Sequence, residues 1–206
     1  LHDALPILAV EPETDIVTLD GRRLEPPAGL VYIMLNKPPG YTTSHRDAHA
    51  ERLAVELIDL PVDGKLVSAG RLDRESEGLL IFSNDGDFIH QLTHPRYGLT
   101  KHYRVTADRE LTADHRRRIR DGILDEGELL KAEQIEPLDG RYCYAIVLHE
   151  GKKREIRRLL KACGARTLRL ERLGVGSVEL GSLPPGQWRM LTAQEVARLR
   201  PPPTRP

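Results

Sequence analysis

The chain has 206 residues, 30% of them charged, 39% hydrophobic and 4% aromatic, and its 31 basic and 31 acidic residues cancel to zero net charge. That length can bury the core of one domain, or of one domain with an appendage. No apolar run reaches membrane-spanning length and no secretory leader is evident, so a soluble cytoplasmic protein with no membrane partner is expected. Cys143 and Cys163 form no CxxC pair and lie near no spaced histidines. A zinc site or a disulfide framework is therefore excluded in favour of two small core residues.

Neutrality conceals segregation. Residues 1–30 hold two basic and six acidic side chains, whereas residues 150–172 hold nine basic and three acidic, a local balance of 9 − 3 = +6. Residues 96–120 are also basic, eight against three. A neutral chain with locally basic segments fits a protein that meets a polyanion with one face.

In chain order, residues 1–7 (Leu1-His2-Asp3-Ala4-Leu5-Pro6-Ile7) read as a non-native leader resembling translated adapter sequence, and are set aside. Asp15 to Leu19, the turn Asp20-Gly21 and the Pro26-Pro27 linker predict a short strand pair. Leu30 to Leu35 is a buried strand, ended by Asn36-Lys37-Pro38-Pro39-Gly40, because proline cannot continue a ladder. Glu51 to Leu60 predicts a short amphipathic helix. Leu66 to Ala69 and Leu79 to Phe82 are strands, and Asp87 to Leu92 a helix. Lys101 to Thr106 alternates, with Lys101, Tyr103 and Val105 on one face. Thr112 to Asp121 is a helix with an arginine-rich outer side, stopped near Gly122. Gly127 to Ile135 and Arg141 to His149 are strands, the second with Tyr142, Tyr144, Ile146 and Leu148 on one face. Thr192-Ala193-Gln194-Glu195 opens a last helix with a capping box. The proline-rich residues 201–206 are expected to be a disordered tail. Strands outnumber helices and connections are hairpin-like, so the class is α+β with a mostly antiparallel sheet.

Two segments carry chemistry. Asp73 lies in a turn-prone stretch, Asp73-Arg74-Glu75-Ser76-Glu77-Gly78, between two apolar runs. An acid on a loop between buried strands is held rigidly yet remains reachable, as a nucleophile or general base requires. Lys153 to Cys163 places Ile156, Leu159, Leu160 and Cys163 on one helical stripe, and Arg154, Arg157, Arg158 and Lys161 on the opposite one. Solvated faces usually mix signs; this stripe is uniformly positive, which favours phosphate contact. The lead-in Gly151-Lys152-Lys153 offers free N–H groups at the helix start, where an anion can bind. Taken alone, Asp73 also reads as a turn aspartate paired with Arg71 or Arg74, Tyr103 as a core residue and Arg157 as a surface arginine. His90, His94, His102 and His149 show no metal-ligand spacing, and support structure or contact the polyanion.

Four segments in order, "LNKPPGY" at 35–41, "AGRLDRESEGLLIFSNDGDFIHQLTHPRYGLTKHYR" at 69–104, "EGKKREIRRL" at 150–159 and "LPPGQWRML" at 183–191, resemble the RsuA/RluB-type family of ribosomal RNA pseudouridine synthases. The resemblance runs from Val10 to Arg200. It implies residues 8–28 as the remnant of an N-terminal S4-type RNA-binding domain plus linker, and residues 29–200 as a catalytic domain of the pseudouridine synthase fold, its sheet flanked by helices around a central cleft. It implies that a uridine of ribosomal RNA, in the 23S RNA of the large subunit, is flipped out and its base rejoined to the sugar through C5, with no metal or cofactor. Asp73 takes the position of the essential aspartate, Tyr103 of the tyrosine packing on the uracil, and Arg157 of the basic residue pairing with the aspartate. Lys37 and Arg71 take RNA-facing or site-shaping positions; Lys101, Lys152, Lys153, Arg154, Arg158 and Lys161 are expected to hold RNA. The implied partner is ribosomal RNA or an assembling ribosomal subunit, met by a monomer. A catalytically idle ribosome-assembly factor and a nucleoside glycosidase are the rival readings; intact Asp73, Tyr103 and Arg157 argue against the first, and the basic helix against the second.

Overall fold

The structure, a computed structural model, describes residues 18–19, 22–23, 29–43, 52–62 and 64–200. The expected leader (1–7) and tail (201–206) lie outside the described residues, as do the Asp20-Gly21 turn and the Pro26-Pro27 linker. Strands β1 (Thr18–Leu19) and β2 (Arg22–Arg23) pair antiparallel, as the first strand pair requires.

Strands β3 (Tyr32–Lys37), β4 (Val67–Ser68) and β5 (Glu77–Ser83) form one side of a nine-stranded sheet. The apolar runs in β3 and β5 are continuous because both faces of the sheet are covered. Ile33, Leu35, Leu80 and Phe82 enter one core, and Met34, Leu79 and Ile81 enter the other. Helix α1 (Gly86–Thr93), capped by Asp85 accepting from the Phe88 N–H, contributes Phe88 and Leu92 to the second core.

Strand β6 (Lys101–Ala107) buries Tyr103, Val105 and Ala107 on one face, in keeping with its alternation. Helix α2 (Ala113–Asp121) starts at the Thr112 cap, stops at Gly122 and buries Ile119. The single strand expected over 127–135 is two strands in different sheets. A hairpin of β7 (Ile123–Asp125) and β8 (Glu128–Leu130) comes first, and β9 (Gln134–Pro137) then joins the main sheet. Glu126 and Gly127 adopt φ of 50° and 80°, the left-handed pair that a tight two-residue hairpin needs. Strand β10 (Cys143–Leu148) turns Tyr144, Ile146 and Leu148 inward. Tyr142 stands just before that strand with φ 55°, half-buried against the same core.

Helix α3 (Glu155–Ala162) buries Ile156, Leu159 and Leu160, worth about 1.5–3 kcal/mol each by area. The longest strand, β11 (Thr167–Val175), follows, then β12 (Val178–Glu179), β13 (Trp188–Met190) and helix α4 (Ala193–Leu199) with its Thr192–Glu195 capping box. The sheet order is β13-β3-β5-β11-β6-β10-β9, with β4 on β5 and β12 on β11. Every pairing in it is antiparallel except β5 with β11. The α+β, mostly antiparallel expectation holds. At the parallel seam a Cβ on Gly78 would stand 2.3 Å from the Arg172 carbonyl oxygen, and φ there is 104°, so only glycine lets the two halves meet.

The helix expected over Glu51–Leu60 is a single 3-10 turn, Ala54–Leu57. The Thr42 N–H donates to the Arg52 carbonyl at 2.9 Å and the Ala54 N–H to the Thr42 carbonyl at 2.8 Å. This extended pairing occupies the groups a helix would have used.

Candidate active site

The connection from β4 to β5 carries Asp73 to the seam beside β11, and it is pinned along its length. The buried Thr43 hydroxyl donates to the Leu72 carbonyl at 2.9 Å and accepts from the Leu72 N–H at 3.3 Å. The Gly40 N–H donates to the Arg74 carbonyl at 2.7 Å, and the Ser76 N–H closes a turn onto the Asp73 carbonyl at 3.0 Å. From beneath, the Lys37 ammonium donates to the carbonyls of Ser76 (2.6 Å), Pro38 (3.1 Å) and Arg74 (3.4 Å). Lys37 is fully buried, 0% exposed, so of its two expected roles RNA contact is corrected to shaping the site. Burial pushes its pKa down to about 8, while Asp73 and Glu77 act to raise it.

Helix α3 brings the cations. Arg157 Nε stands 3.6 Å and Arg154 Nη1 3.7 Å from the same Asp73 Oδ2. Arg157 Nη2 donates to the Ser76 hydroxyl at 3.2 Å. Glu75 Oε2 lies 3.3 Å from Arg154 Nη1 and 3.6 Å from Arg157 Nη2. Asp73 therefore faces the guanidiniums of Arg154 and Arg157, the second of them the arginine that the resemblance pairs with it. Tyr103, 8% exposed, lines the same small cavity, about 70 Å³, as Asp73, Arg71, Arg154 and Ile156.

The remaining basic residues divide. Arg71 stands exposed at the cavity rim. Lys101 is half-buried with Nζ against the Leu99 and His149 carbonyls at 3.4 and 3.5 Å, and burial lowers its pKa. Lys152 Nζ donates to the Leu129 carbonyl at 2.7 Å and pairs with Glu150 at 3.1 Å. Its N–H at the helix start is taken by Glu155 Oε2 at 3.0 Å, so the expected anion seat holds the protein's own carboxylate. Arg158 is clamped by the β7–β8 hairpin: Nε lies 2.5 Å from Asp125 Oδ2, Nη1 2.5 Å from Glu128 Oε2, and Nη2 donates to the Asp125 carbonyl at 2.7 Å. Glu128 and Asp125 hold its pKa above the ordinary arginine range. Lys153 and Lys161 are exposed and form no ion pair among the described residues. With Arg154, Arg157, Arg158 and Arg166 they line an open cleft of about 480 Å³.

A larger cavity, about 710 Å³, is lined by His102, Arg104 and Glu171. These alternate with Tyr103 and Leu170, so it lies on the other face of the sheet and holds no part of this constellation.

A carboxylate shared between guanidiniums, above a buried tyrosine and beside an open basic cleft, suits a planar group carried on an anionic polymer. The family model of RNA pseudouridylate synthase matches residues 31–162. The chain is 36% identical over 193 residues to an RNA pseudouridine synthase of Aquifex aeolicus, covering 92% of this chain and 77% of that one. It is 34% identical to ribosomal small subunit pseudouridine synthase A of Yersinia pestis, covering 92% and 81%. A solved pseudouridylate synthase superposes with a TM-score of 0.77 at 32% identity, over 93% of this chain and 83% of that one. The chain belongs to the RNA pseudouridine synthase family, on its RsuA-type side, and its activity is that of an isomerase that modifies RNA.

Sequence reasoning did not single out Thr43, Ser76 or Glu75. The motif Lys37-Pro38-Pro39-Gly40 was a usable signal for Thr43, three residues on; Glu75 read as one more charge in a turn.

Proposed function

We propose that this protein converts a specific uridine of ribosomal RNA to pseudouridine in the cleft between Asp73 and Tyr103. The observation that carries the reading is the placement of the Asp73 carboxylate 3.6 Å from Arg157, in the cavity that Tyr103 lines. A stacked uridine is out of reach, so it leaves the helix and enters the cleft. Tyr103 offers the flipped base an aromatic face. The Asp73 carboxylate, flanked by two guanidiniums, attacks or stabilises the sugar at C1′ as the N1–C1′ bond breaks and its electron pair leaves with N1. The base turns, C5 bonds to C1′ as the Asp73 carboxylate leaves or withdraws from that carbon, and the C5 proton departs with help from the Tyr103 hydroxyl while N1 gains a proton. The reaction is redox-neutral and needs no cofactor.

Support for ribosomal RNA comes from relatives of Yersinia pestis and Pasteurella multocida, both named ribosomal small subunit pseudouridine synthase A. The motifs favoured the large-subunit 23S RNA instead, so the test covers both. The enzyme acts as a monomer in the cytoplasm on free RNA or an assembling subunit; among the described residues no helix is long and apolar enough to cross a membrane. Incubation with unmodified small- and large-subunit RNA, followed by mass-spectrometric mapping of pseudouridine, should find one modified uridine. Binding to both RNAs with no modification would make the protein an idle RNA-binding factor.

A further inference from the structure

We infer that Glu75 occupies, in the free enzyme, the seat of an RNA phosphate, and that the incoming backbone displaces it. The inference rests on RNA being the polymer this cleft receives. Asp73 and Glu75 each present a single oxygen to the same pair of guanidiniums, those of Arg154 and Arg157. The two acids are not equivalent. The Asp73 side chain is 31% exposed and lies in the cavity; that of Glu75 is 61% exposed and does not line it. Glu75 bridges the pair from the solvent side through one oxygen at 3.3 and 3.6 Å, longer than the two-pronged contact a guanidinium makes with a well-seated anion. Arg157 Nε is buried and faces Asp73 at 3.6 Å, so the donors turned to Glu75 are Arg154 Nη1 and Arg157 Nη2. Arg154 holds its position in the left-handed region, φ 54°, as the uncapped residue before α3.

A phosphodiester offers two non-bridging oxygens and a full charge. It can satisfy both arginines where Glu75 does so loosely, without disturbing Asp73. The same two arginines also line the open cleft bearing Lys153 and Lys161, which continues the path for the backbone. Glu75 thus keeps Arg154 and Arg157 gathered around Asp73 before substrate arrives, and weakens binding by the cost of its own displacement. It is a positioning residue and does not touch the reacting atoms.

The test is Glu75→Gln in the full chain, with a short uridine-containing single-stranded RNA as probe and a parallel set in which one linkage at a time is a neutral methylphosphonate. Melting curves confirm that the variant is folded. The expected result is a Kd lowered by about threefold to tenfold, and in turnover a change in KM and not in kcat. The gain should vanish when one particular linkage is neutral and persist for the others. A gain of equal size at every linkage would mean diffuse repulsion and would overturn the inference, as would an unchanged Kd or a fall in kcat alone. Binding is read without turnover. RNA that binds more tightly to the variant but is never modified would therefore contradict the proposed reaction and leave this inference standing.

Discussion

Arg157 and Arg158 are neighbours in the chain, leave the same helix and are similarly sheltered, with side chains 13% and 15% exposed, yet they serve different parts of the molecule. Arg157 reaches the loop of Asp73 and Ser76. Arg158 turns into the β7–β8 hairpin, where Asp125 and Glu128 take up its charge. One turn further on, Lys161 meets no acid among the described residues. A uniformly positive stripe in the sequence is therefore three things in space: a site cation, a structural clamp and a free charge. Formal charge in a helix reports what could meet RNA; the elements packed alongside decide what does.

The largest effect separating these roles is expected at Arg157. On the proposed chemistry, Arg157→Ala should lower kcat on the order of a hundredfold or more, because it removes a fixed cation beside the Asp73 carboxylate. A fall in RNA affinity with kcat preserved would place Arg157 with the free charges. Next, Lys153→Ala with Lys161→Ala should weaken RNA binding about tenfold and flatten its salt dependence by roughly 0.7 for each single-strand phosphate no longer neutralised. An unchanged salt slope would assign these lysines to solvent.

Arg158→Ala should act on stability instead, since it strands Asp125 and Glu128 near each other on the hairpin. A melting temperature lower by about a few degrees, with kcat and Kd little changed, is the expected pattern. Weakened RNA affinity at unchanged stability would return Arg158 to the RNA interface.

The subtlest prediction concerns Lys37. With its pKa lowered to about 8 by burial against an unfolded value near 10.5, the folded protein binds fewer protons than the unfolded chain between those pH values. Lys37 therefore adds a contribution to stability that rises with pH across that window and is absent below it. The stability difference between wild type and Lys37→Met, followed by denaturant titration from pH 7 to roughly 10, should grow in favour of wild type above about pH 8. A difference independent of pH would mean the buried amine titrates normally.

The legible parts of the fold were those where one face alone decides the pattern. The 3.6-residue stripe of α3 and the Thr192 capping box were readable because local chemistry and packing agree there. The longest strand, β11, was hidden by its arginines, which made 150–172 read as a basic run. In the fold those side chains reach neighbouring strands: Arg169 pairs with Glu77, and Arg172, 2% exposed, donates to the Leu79 carbonyl at 2.7 Å, while Glu171 of the same strand lies 3.8 Å from Arg104. Partners that distant in sequence leave no local signature. The 3-10 turn at Ala54–Leu57 was missed for a similar reason, since Thr42 claims the backbone groups of Arg52 and Ala54.

At the site, Asp73, Tyr103 and Arg157 could be named from motifs, and the fold brings all three together. Their supports were legible only in part. Lys37 read as RNA-facing or site-shaping, and only the carbonyls of Pro38, Arg74 and Ser76 closing around it decide between the two; Arg158 looked free until a hairpin no motif announced supplied its acids. Glu75 was invisible as anything but a charge, because its meaning depends on sharing two arginines with Asp73.

The proposed chemistry stands or falls on Asp73→Asn, assayed in parallel for pseudouridine formation on unmodified ribosomal RNA and for RNA binding. Turnover should fall below detection while the Kd stays within about twofold, since the carboxylate serves the sugar and Arg154, Lys153 and Lys161 serve the backbone. Residual turnover near the wild-type rate, or binding that falls in step with activity, would contradict this and make Asp73 a structural residue of the loop.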